Sequence, residues 1–413
     1  MIWLIWLITR TLQADNPVMS IANTLSNKIL SAVLLAGILL GGARASGQND
    51  QPLVIERTAD QSEVIPINLS GFSGEVLSTL KFDLEAVGFQ VKSAEASKYQ
   101  VTGANDSHVE GRLTVSASKT ELLAKAYQGG SMRTQAHALA DDIIAAIRHC
   151  KGVAQTRIAY KGVTGDTSEI YLADYDGNKP VAVTSDHTIV AAPAWAPGGK
   201  MLYYTSYKLG NPDIYSHDLS TGARKIVARY TGLNTSAAIS PDGQHVAMIL
   251  SKAGSPDLYV GNVDGTNLKQ LTTTKEDESS PCWSPDGKTI CFTSRMNGRP
   301  QLFTIPAGGG AMKRLSTAGV LNTTEADWSP DGQFIAFTAN MGSFQICVLE
   351  LKTGTVKTLT AGEDPSWGPN SRTLIFNRRV GGKNIVSLLD VPTKQVKDIA
   401  QISANCSQAC WAR

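Results

Sequence analysis

The chain has 413 residues, with 38 Lys plus Arg against 36 Asp plus Glu and a formal net charge of +2. That balance supplies no basic field for nucleic acid, and a hydrophobic share of 42% excludes a disordered chain. The 37 Gly and 17 Pro point to a turn-rich fold, and six Cys over this length do not make a disulfide framework.

The first element in chain order is a targeting segment. Lys28 precedes an uncharged apolar run over 29–40, and Ala43-Arg44-Ala45 then precedes Ser46. This is the order of a secretory signal peptide, and the run is too short to span a bilayer, which takes about 20 residues. Residues 1–18 read as an upstream extension, with Met19 as a second candidate start. Removing 1–45 leaves 35 basic and 35 acidic residues. The expected compartment lies outside the cytoplasm, where disulfides are permitted.

Residues 46–150 read as an α/β domain of two helices on a small mixed sheet. A strand is expected over 63–69. Val76, Leu77, Leu80, Leu84 and Val87 sit at helical spacing, and Gly88 ends that helix. Strands are expected over 89–92, 100–105, 110–116 and 121–127. A second helix carries Ala136, Leu139, Ala140, Ile143, Ile144 and Ile147 on one face. Residues 150–155 read as a linker.

From residue 155 to 413 the sequence repeats. The clearest copies are Cys282-Trp283-Ser284-Pro285-Asp286-Gly287 and Asp327-Trp328-Ser329-Pro330-Asp331-Gly332, with weaker ones anchored at Trp195, Ile239, Trp367 and Trp411. The mean spacing of about 43 residues matches the period of four-stranded propeller blades. Pro presets the first corner of a turn, Asp bonds its own backbone, and Gly takes the positive-φ position. These are scaffold residues. The first run of the series, 157–161, lacks a Trp strand before it, and the segment over 407–413 has one without a continuation. Ring closure reconciles the two, so the expectation is an all-β six-bladed propeller closed by its C-terminal strand.

Two junction segments carry a resemblance: Ala138-Leu139-Ala140-Asp141-Asp142-Ile143, and Gly152-Val153-Ala154-Gln155-Thr156-Arg157-Ile158-Ala159-Tyr160. With Asp174-Tyr175-Asp176-Gly177 and Ala192-Pro193-Ala194-Trp195, they resemble the TolB family of the Tol-Pal system of Gram-negative bacteria. The resemblance runs over the whole chain after the signal. It implies a periplasmic, non-enzymatic adaptor that binds the peptidoglycan-associated lipoprotein (Pal) through the propeller. It also implies TolA binding through an N-terminal segment, 52–62, here carrying Leu53, Val54, Ile55, Glu56 and Arg57. That segment departs from the family at Thr58-Ala59-Asp60, where a Ser-Gly pair is usual. The system supports outer-membrane integrity and constriction during division.

The loops entering each inner strand are expected to ring one channel mouth, because binding concentrates on loops held by a rigid scaffold. They contribute Leu233, Asn234, Thr235 and Ser236; Glu278, Ser279 and Ser280; Thr323, Thr324 and Glu325; and Glu363 and Asp364. With Glu276 and Asp277, the carboxylates read either as solvated loop groups, as an acidic rim steering a basic partner, or as oxygen ligands for a channel cation. Segment 54–57 either folds back on its own domain or adds to a partner's sheet edge. Cys282 and Cys291 flank one hairpin and could face each other. Cys406 and Cys410 are badly placed for bridging, and Cys150 and Cys347 read as buried thiols. The six His are scattered, so no metal cage, general base or cofactor site stands out. No Gly-x-Ser-x-Gly elbow occurs. The alternative to the Tol-Pal adaptor is a propeller platform for another cell-envelope protein.

Overall fold

The structure is a computed structural model that describes residues 61–402 and 405–413. The signal segment and the stretch carrying Leu53, Val54, Ile55, Glu56 and Arg57 lie outside the described residues. The chain opens with β1 (Ile65–Ser70), α1 (Gly74–Glu85), β2 (Phe89–Val91), β3 (Tyr99–Ala104), β4 (Val109–Val115), β5 (Glu121–Tyr127) and α2 (Met132–Arg148). The sheet order is β2-β1-β3-β4-β5. The β1 strand runs parallel to both β2 and β3, while β3, β4 and β5 form an antiparallel meander, so the sheet is mixed. All expected elements occur, with ends moved by a few residues.

The apolar stripe of α2 explains its position. Ala136, Leu139, Ala140, Ile143 and Ile144 are buried on one face and meet Leu80 and Leu84 of α1 and Ile65, Val101 and Leu113 of the sheet. Ser131 caps α2 by accepting from the Thr134 N–H at 3.2 Å, and His149 ends it in a left-handed conformation.

Six four-stranded antiparallel sheets follow. Their inner strands are Cys406–Trp411 (blade 1), Val190–Trp195 (blade 2), Asn234–Ile239 (blade 3), Glu278–Trp283 (blade 4), Thr323–Trp328 (blade 5) and Glu363–Trp367 (blade 6). Each inner strand neighbours the next around a ring. Cys406–Trp411 pairs antiparallel with Arg157–Thr164, with Trp411 opposite Ile158, so the last strand completes the first blade as expected.

The repeated turn works by side-chain hydrogen bonds. In blade 4, Ser284 Oγ donates to Asp286 Oδ1 at 2.6 Å and accepts from the Thr289 N–H at 3.0 Å. Asp286 Oδ1 also accepts from the Lys288 N–H at 3.1 Å, while Gly287 sits at φ +69°. Trp283 packs on Ala247, Ile249 and Leu258 of blade 3 and donates its indole N–H to Ala238 O at 2.9 Å.

Candidate functional site: two ends of one channel

Strand direction gives the propeller two unlike ends. Inner strands start at one end, here the mouth, where the second-to-third-strand hairpins also lie. They finish at the other, the turn end, where the Ser-Pro-Asp-Gly turns and third-to-fourth-strand hairpins lie.

The turn end is covered by the N-terminal layer. Arg372, in the blade 6 turn, pairs with buried Asp390 at 2.6 Å and donates to Gln61 Oε1 at 2.7 Å. Lys397 of blade 6 meets Glu85 of α1 at 2.5 Å. Arg148 of α2 donates to Gly88 O at 2.6 Å, and burial lowers its pKa to about 10. A buried network then ties both helices to the blade 1 hairpin. His137 Nδ1 meets Asp83 Oδ2 at 2.7 Å, and Tyr175 OH donates to Asp83 Oδ1 at 2.5 Å. Arg133 pairs with Asp176, whose Oδ2 lies 3.7 Å from His137 Nε2.

Burial opposes charging of His137, but the Asp83 hydrogen bond and the fields of Asp83 and Asp176 outweigh it and raise its pKa. Burial raises that of Asp83. Asp83, His137 and Asp176 offer ligand atoms within 4.8 Å of one another. Tyr175 and His137 Nδ1 meet Asp83, and Arg133 pairs with Asp176, so the cluster is an ion-paired seam in which His137 Nε2 faces Asp176 without a hydrogen bond. Sequence reading missed it because its members lie 54 and 92 residues apart. Cys150, expected to be buried, is part-exposed near Arg372, Asp390 and Arg148, whereas Cys347 is buried as expected.

The mouth differs from the sequence expectation in three ways. First, the residues read as loop are strand. Asn234, Thr235 and Ser236, Glu278, Ser279 and Ser280, Thr323, Thr324 and Glu325, and Glu363 and Asp364 are the opening positions of four inner strands, and Leu233 immediately precedes one. Asn234, Glu278 and Thr323 are buried. Asn234 bridges Tyr230 N and O (2.9 and 2.8 Å) and Pro212 O at 3.0 Å, a scaffold role. Thr235 accepts from Thr205 Oγ1 at 3.1 Å. Glu278 accepts from Ser294 Oγ at 2.8 Å and Thr274 Oγ1 at 2.9 Å, and burial pushes its carboxyl up to about 7.

Second, the six acidic residues do not form one cluster. Glu276 and Asp277 are exposed, and Glu278 faces Thr272, Thr274 and Ser294 within blade 4. Only Glu325, Glu363 and Asp364 converge. Burial, then the Glu325 and Glu363 charges, hold Asp364 well above the usual carboxyl range, and Asn377 Nδ2 donates to it at 2.9 Å. Third, the rim is not acidic. Lys208, Lys252, Lys275, Arg295, Arg299, Arg379 and Lys383 stand exposed there against Asp166, Glu276 and Asp277.

Two features of the mouth escaped sequence reading. Every inner strand carries a bulge, and a residue near its start is left-handed: Ala192, Ser236, Ser280, Glu325, Asp364 and Gln408, at φ +50° to +55°. All six line a channel of 570 Å³. Gln408 Oε1 accepts from the Ala192 N–H at 2.9 Å and Glu325 Oε2 from the Asp364 N–H at 3.1 Å, so each of these side chains serves the next blade. The second feature is apolar. Among the described residues, eight of the eleven exposed large hydrophobic side chains lie at the mouth: Val163, Ile189, Leu209, Met296, Leu321, Met341, Phe344 and Val380. Of the other three, Val181 follows the blade 1 hairpin at the turn end, Ile226 lies on an outer strand and Leu122 on the N-terminal sheet. No single segment advertises this ring, because its members are spread over more than 200 residues and five blades.

The comparisons agree with this architecture. The profile of the TolB beta propeller domain matches residues 145–413. A Tol-Pal system protein TolB of Bordetella pertussis is 34% identical over 175 residues, 41% of this chain and 39% of that protein. One of Polaromonas naphthalenivorans is 30% identical over 238 residues, 49% of this chain and 55% of that protein. The chain thus spans about two-fifths to just over half the length of these curated relatives. The crystal structure of TolB from Acinetobacter baumannii superposes with a TM-score of 0.78 at 25% identity, over 86% of this chain and 98% of that one. On the span of the propeller profile, the chain belongs to the TolB β-propeller family.

Proposed function

We propose that this chain is a non-enzymatic periplasmic adaptor of the Tol-Pal system. It consists of an N-terminal domain over 46–150 and a propeller over 155–413, delivered by the signal over 1–45. It binds the peptidoglycan-associated lipoprotein at the propeller mouth and TolA through Leu53, Val54, Ile55, Glu56 and Arg57. Through both it supports outer-membrane integrity and constriction during division. The observation that carries the docking site is the ring of exposed apolar side chains at the mouth, set opposite a turn end already covered by the chain's own domain. Exposed Lys and Arg around that ring favour a partner face whose apolar contacts are bordered by carboxylates. The names of the curated relatives support membership of the system.

Calorimetry of the chain without 1–45 against the soluble domain of the same organism's lipoprotein tests the reading. Saturable one-to-one binding that weakens with Met341→Asp and Phe344→Asp is expected. A protein that melts cooperatively yet gives no heat would remove the lipoprotein as partner. Deleting 53–57 should abolish TolA binding and leave lipoprotein binding in place.

A further inference from the structure

One cross-strand pair in the propeller is chemically unlike its five counterparts. The last-but-one residue of each inner strand faces a residue of the second strand. The pairs are Ala194–Tyr203, Ala238–Ala247, Cys282–Cys291, Asp327–Ala336, Ser366–Ile375 and Cys410–Ala159. Only blade 4 places two thiols opposite each other. Directly opposed residues of an antiparallel pair have Cα atoms about 4.5–5.5 Å apart. A disulfide accepts about 4.4–6.8 Å. Both side chains project from the same face of the sheet, into the cluster that packs on Ala326, Ile335 and Phe337 of blade 5. Cys291 lies close enough to Cys282 to raise the pKa of its thiol.

We infer that Cys282 and Cys291 are a disulfide-forming site that staples the inner strand of blade 4 to its second strand. The bond closes the ten-residue Trp-Ser-Pro-Asp-Gly hairpin, and no movement between blades is needed. The chemistry is thiol–disulfide exchange with an external disulfide, R–S–S–R. One cysteine thiolate attacks a sulfur of the reagent and expels RS⁻. The second thiolate attacks the mixed disulfide and expels another RS⁻. The protein loses two protons and two electrons, and R–S–S–R is reduced to two thiols. Cys282 lines the channel, which gives a small disulfide access. Cys291 is fully buried. The neighbouring Cys291 thiol and burial hold the Cys282 thiol well above its usual range, so exchange in the folded ring is slow and faster at high pH. No other two cysteines oppose each other across a strand pair: Cys347 shares the blade 4–blade 5 cluster but stands opposite Phe337 and Thr358 in its own sheet, and Cys406 and Cys410 lie on one strand.

The test uses the full chain, incubated with oxidised glutathione at pH 8.5, then unfolded and alkylated without reductant. Intact mass and peptide mapping should show four of the six thiols alkylated and one linked peptide pair containing 282 and 291. The oxidised protein should melt several degrees above the reduced one. That difference should vanish in the Cys282→Ser/Cys291→Ser double variant, while lipoprotein binding stays the same in all forms. Six alkylated thiols, a linkage through any other pair, or a melting difference that survives in the double variant would each overturn the inference. Binding to the partner reads the proposed function separately, because its loss would leave the linkage map unchanged.

Discussion

The two ends of the propeller are built from the same repeat and do opposite things. At the turn end, charged groups are buried and paired: Asp83 with His137, Arg133 with Asp176, Arg372 with Asp390. At the mouth, large apolar side chains such as Met341 (50% exposed) and Phe344 (44%) face outward. Three carboxylates crowd one another in the channel below them. Burial of polar groups at one end is compensated inside the molecule, whereas the exposed apolar groups at the other have no covering element among the described residues. Cohesion and the proposed docking face are thereby separated by the length of one strand.

The largest way to break this contrast is at the seam. His137→Ala leaves the Asp83 carboxylate buried without its imidazole and should cost about 3–5 kcal/mol, read by urea unfolding. The sign with pH follows. The raised His137 pKa gives stability that is whole below pH 6.5 and lost as pH rises through the folded-state value. Raised Asp83 acts in the same direction. Wild-type unfolding midpoints should therefore fall on the alkaline side, and His137→Ala should flatten that fall. An unchanged alkaline slope in the variant would mean that the seam is not the titrating element.

At the mouth, Met341→Asp combined with Phe344→Asp should weaken the lipoprotein by at least tenfold, in the range of interface hot spots of about 2 kcal/mol. The melting temperature should stay within about two degrees, since neither side chain is buried. A large fall in melting temperature would turn these residues from a docking ring into part of the core.

Glu278 sharpens the comparison, because it is a mouth-end carboxyl held neutral rather than paired. Its folded pKa of about 7 lies above the ordinary 4.5, so stability should fall between pH 4.5 and 7. Glu278→Gln keeps an acceptor for Ser294 and should flatten that window, gaining about 1–2 kcal/mol at pH 8 by chemical denaturation. The smallest effect lies in the repeat itself. Ser284→Ala removes the hydrogen bonds to Asp286 and Thr289 and should cost about 1 kcal/mol by the same assay.

What was legible follows from locality. The Trp-Ser-Pro-Asp-Gly turn depends on residues two to five positions apart, so its copies read directly as blade corners, and the orphan run at 157 with the orphan Trp411 gave ring closure. The amphipathic stripe of α2 is local in the same sense. The site was less legible. Whether Glu278 is a rim charge or a buried carboxyl depends on Ser294, reached only when two strands pair. The left-handed bulge has no sequence mark, since Ala192, Ser236, Glu325 and Gln408 share no chemistry. The His137 seam and the apolar ring are assembled by the fold from dispersed positions.

The closure of blade 1 also sets an order of assembly. Trp411 is opposed to Ile158, about 250 residues earlier, and it stacks on Tyr175 and donates to Thr156 Oγ1 at 2.6 Å. Cys406, Ala409 and Trp411 belong to the same apolar cluster as Ile65, Leu80 and Ile143. The apolar cluster of the small domain is thus continuous with the strand that closes the ring. Closing blade 1 therefore means bridging a loop of about 250 residues, so this contact carries the largest closure entropy of the ring and forms late in folding.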